Sequence, residues 1–69
     1  MKFVLSKLYG NLYRLIIIRY IKDYIKKDVI YLTNTDLYNK QAIKETLYIM
    51  AKMKIYEVNK IANEIFRYL

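Results

Sequence analysis

The chain has no cysteine, no histidine, no proline and no tryptophan, and Gly10 is the single glycine among its 69 residues. Without cysteine there is neither a disulfide nor a thiolate metal ligand. Without histidine, the commonest general base and the commonest metal ligand are both missing. One glycine cannot build a phosphate-cradling loop or a dinucleotide-binding turn. Ser6 is the only serine, and six carboxylates show no spacing that pairs them for acid–base work. We therefore expect a protein that is not an enzyme and uses no cofactor or metal. Long apolar runs are also lacking. The longest without tyrosine, Leu15-Ile16-Ile17-Ile18, is bracketed by Arg14 and Arg19 and is far shorter than the roughly 20 residues that span a bilayer. No integral membrane segment is expected. Met1-Lys2-Phe3-Val4-Leu5 begins like a secretory leader, but Lys7 interrupts it, and we expect a cytoplasmic protein.

What is present is apolar and basic. Hydrophobic residues make up 57% of the chain, with nine tyrosines, and the net charge is +7. A chain of this size is a single domain, 1–69, and buries only about 60% of its unfolded surface. So much apolar surface without a covalent staple points to a homodimer or a larger protein partner. The charge is uneven. Lys2, Lys7, Arg14, Arg19, Lys22, Lys26 and Lys27 face only Asp23 in the first 27 residues, whereas acids and bases nearly balance after that. A basic first half suits an anionic partner such as nucleic acid, an acidic protein patch or an anionic membrane surface.

Periodicity is clearest at the end of the chain. Ala51, Ile55, Val58, Ala62, Ile65 and Leu69 step by four and three, the spacing of a helical seam. Residues 3–27 begin on one helical face with Leu5, Leu8, Leu12, Leu15 and Ile16, which then drifts round through Ile17, Ile18, Ile21 and Ile25. Between these stretches, Val29–Leu32 is β-branched enough for a short strand. Thr33, Asn34 or Thr35 can cap the helix that follows, with Asp36 in its first turn. The predicted fold is all-α: an antiparallel helical hairpin, or a small three-helix bundle if the chain breaks near Asn39 or Lys54.

The competing arrangement is α+β. In length and element order, residues 13–69 resemble a winged helix-turn-helix. The strand would be Val29–Leu32, the recognition helix 41–53 and the wing a hairpin over 55–69. That resemblance implies duplex DNA contact through Gln41, Lys44, Tyr48 and Lys52, with Lys60 on phosphate.

The functional expectation is a small basic helical protein acting at nucleic acid, by direct binding or as an accessory subunit of a DNA- or RNA-processing complex. Lys7, Arg14, Arg19, Lys22, Lys26 and Lys27 are the candidate nucleic-acid contacts. Tyr9, Tyr13, Tyr20 and Tyr24 form a stripe among them that can stack on bases or line a core boundary. Ala51, Ile55, Val58, Ala62, Ile65, Phe66 and Leu69 are the candidate protein interface. A winged-helix transcription regulator is the second expectation. A structural protein–protein interaction module without nucleic acid is the third.

Overall fold

The computed structural model describes residues 1–68, with the side chain of Tyr68 not described. It corrects the all-α expectation: about 42% of the chain is strand and 43% helix. Three antiparallel strands come first, β1 (Lys2–Tyr9), β2 (Leu12–Ile21) and β3 (Tyr24–Thr33), in the sheet order β1-β2-β3. Three helices follow: α1 (Asn34–Leu37), α2 (Lys40–Ala51) and α3 (Ile55–Tyr68).

Two tight turns create the sheet. Tyr9 pairs with Leu12 across Gly10-Asn11, and Ile21 pairs with Tyr24 across Lys22-Asp23. Gly10 has φ +56° and Lys22 has φ +49°. Each holds the first loop position, where a two-residue hairpin needs a left-handed residue so that its twist matches the strands. The register then alternates side chains between two faces. On β2, Tyr13, Leu15, Ile17 and Arg19 share the inner face, opposite Leu5 and Phe3 on β1 and Leu32, Ile30, Asp28 and Lys26 on β3.

The helices cover that inner face. Leu15, Ile17, Ile30 and Leu32 form one buried cluster with Leu37 of α1, Ile43, Leu47 and Ala51 of α2, and Val58, Ile61, Ala62 and Ile65 of α3. Thr33 caps α1 with a full capping box. Its hydroxyl accepts from the Asp36 N–H at 3.3 Å, and the Asp36 carboxylate accepts from the Thr33 N–H at 3.1 Å. The Asn34 N–H donates to the Asn11 carbonyl at 3.0 Å and ties this corner to the first hairpin. Asn39 caps α2, and Lys52 ends it in the left-handed region with φ +51°. The breaks at Asn39 and Lys52–Lys54 fall where the sequence allowed them.

The winged arrangement fails too. Residues 55–68 are one helix, not a hairpin, and the chain before Val29 is strand rather than helix. The predicted seam divides accordingly. Ala51, Val58, Ala62 and Ile65 are buried in this chain's own core, which removes them as a free interface. Ile55 and Phe66 are exposed at 65% and 42%, and Leu69 lies outside the described residues. No helix among the described residues is long and apolar enough to cross a membrane.

Candidate nucleic-acid interface

All three helices lie on one side of the sheet, so its other side is uncovered. The register arranges that outer face in rows across the strands. Lys2, Ile18 and Lys27 form one row, Val4, Ile16 and Val29 the next, and Ser6, Arg14 and Tyr31 the third. Tyr20 and Ile25 close the end beside the Lys22-Asp23 turn. Along β2, Tyr20 to Arg14 spans about 20 Å at roughly 3.3 Å per residue. The face carries no carboxylate in any of these rows.

An antiparallel sheet with one solvated face normally alternates polar side chains outward. This one does not. Val4 is 57% exposed, Ile25 61%, and Tyr20 and Tyr31 about as much. Ile16 and Ile18 sit between their neighbours, half-buried. An apolar strip bordered by two tyrosines and three cations is a candidate interaction surface. The Arg14 Nε is buried and has no hydrogen-bond partner. Among the described residues the only two ion pairs both belong to Arg19, so Lys2, Arg14 and Lys27 are uncompensated.

The structure separates the predicted contacts. Arg14 and Lys27 lie on the outer face. Lys7 is exposed on β1 on the other side, opposite Tyr13, and Lys22 occupies the β2–β3 turn. Arg19 is not available to a phosphate backbone. It is 6% exposed, and its Nη2 donates to the Asp28 carboxylate and to the Ala51 carbonyl, both at 3.0 Å. Its Nη1 reaches Glu57 at 3.5 Å. Arg19 thus links β2, β3, α2 and α3. Lys26 stands opposite it, half-buried.

The residues proposed for a recognition helix lie in the helical layer. Gln41 bonds Glu45 at 3.4 Å, and Lys44 and Tyr48 are on α2. Lys52 leaves the Lys44–Tyr48 row because its backbone has already turned left-handed. Lys60 lines a groove between α3 and β1, near Lys2 and Glu64. The tyrosine stripe dissolves as well: Tyr13 packs on the core, Tyr20 is on the outer face, and Tyr9 and Tyr24 stand at the turns. Lys52 does meet Arg19 and Lys26 in a cleft at the end of the sheet, with Lys54 and Tyr56.

Four of these residues, Lys2, Tyr31, Lys54 and Tyr56, were not singled out from the sequence. Tyr31 steps by two with Ile25, Lys27 and Val29, and Lys2 with Val4 and Ser6, but these series are as apolar as the inner face and do not stand out as alternation. Nothing local marks Lys54 and Tyr56, whose neighbours in space on the sheet are distant in sequence. Comparison of the chain with protein-family models, curated proteins and solved structures gave no significant match, so its site is defined by this geometry alone.

Proposed function

We propose that the protein binds single-stranded nucleic acid across the uncovered face of its sheet, acting by binding and not by catalysis. One observation carries the reading: an exposed apolar and aromatic strip, with Tyr20 and Tyr31 at its margins, is interleaved with Lys2, Arg14 and Lys27 and holds no carboxylate. A single strand offers both chemistries this face requires. Its bases present apolar faces to Tyr20, Tyr31 and the isoleucines, and its phosphates meet the cations. A duplex keeps its bases stacked and shows only their edges, which Val4, Ile16 and Val29 cannot hydrogen-bond.

A second copy of this chain fits less well. Stacking two such faces would bring six cations together with no carboxylate among them. Desolvating unpaired charges costs several kcal/mol each, roughly what burying one or two Ile or Val side chains returns. The strand chemistry has no such conflict.

Fluorescence anisotropy with a labelled 12-nucleotide strand tests the reading. With three phosphate contacts the slope of log K against log salt is about −2 for a single strand. Affinity then falls about 20-fold from 50 to 200 mM salt. Replacing Arg14 and Lys27 by Glu should weaken binding at least tenfold, and replacing Lys44 by Glu should leave it unchanged. Absence of binding at low salt, or tighter binding to a duplex, rejects the proposal. A stable dimer that R14E/K27E dissociates would assign the face to a second copy instead.

A further inference from the structure

A second concentration of cations lies off the sheet face. A cleft of about 330 Å³ opens between the end of β2–β3 and the link from α2 to α3. Lys26, Lys52 and Lys54 surround it, Tyr20 and Tyr56 flank it, and Arg19 lines it beneath. Four cations thus share one small space with a single lining carboxylate, Glu57. That carboxylate is already engaged. It accepts from the Lys54 backbone N–H at 3.1 Å and from Arg19 at 3.5 Å. Arg19 itself is nine-tenths buried, yet its Nε–H has no partner. None of the three lysines has a carboxylate within ion-pair distance among the described residues.

The backbone adds a separate observation. The two non-glycine residues with positive φ are Lys22 and Lys52. Lys52 lines this cleft, and Lys22 lies two residues beyond Tyr20, which lines it as well. Side chains disfavour the left-handed region, and glycine takes it freely. Lysine at position 52 keeps a charge in the cleft at a conformational cost.

We propose that this cleft is a phosphate-binding site. Lys26, Lys52 and Lys54 supply ammonium donors around the group, while Arg19, whose charge is already met by Asp28 and Glu57, contributes at most its unpartnered Nε–H. Tyr20 and Tyr56 provide ring faces on which a base attached to that phosphate can stack. Tyr20 also belongs to the outer face of the sheet, so the phosphate can come from a strand lying there or from a free nucleotide. Apart from Tyr20, the cleft is a different set of residues from the strand-binding rows, and this proposal does not depend on them beyond that choice of source.

The test is an amide-resolved NMR titration of the full chain with inorganic phosphate, against sodium chloride at matched ionic strength. Phosphate should give saturating shifts over residues 20–26 and 52–57 that chloride does not. The K52G/K54Q variant, in which glycine accepts the left-handed backbone, should bind phosphate at least tenfold more weakly. K60Q, outside the cleft, should match the parent. Shifts equal to those from chloride, or an unchanged affinity in K52G/K54Q, overturn the proposal. Two further arms identify the source. If a strand supplies the phosphate, K52G/K54Q also loses affinity for the 12-nucleotide strand. If a free nucleotide supplies it, a mononucleotide displaces phosphate while strand affinity is the same in both proteins. R14E/K27E should leave the phosphate titration intact, so loss of strand binding and loss of the cleft are read separately.

Discussion

Removing the Arg19 side chain should bring the fold close to collapse. Arg19 stands on the inner sheet face in line with the core residues Leu15 and Ile17, and its guanidinium holds partners from three other elements. In Arg19→Ala, Asp28 and Glu57 keep their negative charges, with side chains only 16% and 14% exposed. The Ala51 carbonyl loses its side-chain donor. Breaking a buried pair by deleting one partner costs about 3–5 kcal/mol, and the orphaned carbonyl adds about 1 kcal/mol. A chain of this length has about 3–10 kcal/mol in total at the usual stability per residue. The variant should therefore lose about 40% or more of its urea midpoint, or be unfolded without denaturant, when followed by far-UV circular dichroism.

Arg19→Lys keeps the charge but cannot reach three partners with one ammonium, and should fall between, at about 2 kcal/mol. The triple variant R19M/D28N/E57Q removes the charges together, and the amide oxygen introduced by E57Q can still cap the Lys54 N–H. It should recover most of the loss. A loss below about 1 kcal/mol in Arg19→Ala would refute the reasoning, because breaking a buried pair should cost several times that.

Two smaller perturbations follow from the backbone. Thr33→Ala deletes one half of the capping box at the junction of β3 and α1 and should cost about 1 kcal/mol in the same assay. Two of the three left-handed positions should respond in opposite directions. Gly10→Ala has open space for its methyl group, so its cost is conformational alone, about 1 kcal/mol. Lys52→Gly should be neutral to stabilising by about 0.5 kcal/mol, strain relief exceeding the added freedom of the unfolded chain, while it weakens phosphate binding.

The helical half of the fold is readable along the chain because each helix buries one side only. Val58, Ile61, Ala62 and Ile65 repeat at helical spacing and Asn59, Lys60 and Asn63 do not intrude, so the helical reading of the C-terminal stretch outweighs the competing hairpin over 55–69. The Thr33–Asp36 cap and the breaks at Asn39 and Lys54 are likewise local signals. The sheet is hidden for a physical reason. Strand alternation is visible only when one face is polar, and here Ile16, Ile18 and Val29 make the outer face apolar as well. Leu15-Ile16-Ile17-Ile18 then has no period, and the flanking leucines imitate a helix.

Gly10-Asn11 is a usable hairpin signal that the helical pattern overrode. Lys22-Asp23 offers none, because a lysine sits where glycine is expected. One concealing feature is also the one assigned to binding, the apolar outer face. Of the residues proposed to bind, Arg14 and Lys27 were singled out by charge alone. Charge also singled out Arg19, but charge does not reveal that it is buried. The cleft joins residues distant in sequence, which no local reading can assemble.

The most direct test of the central claim is methyl and amide NMR of the protein titrated with a single-stranded 12-mer. Val4, Ile16, Ile18, Val29 and Tyr31 should move together and broaden on binding, while Ile43, Leu47 and the Gln41–Tyr48 face of α2 stay in place. Perturbation centred on α2, or an outer sheet face that does not respond to a bound strand, would contradict the account.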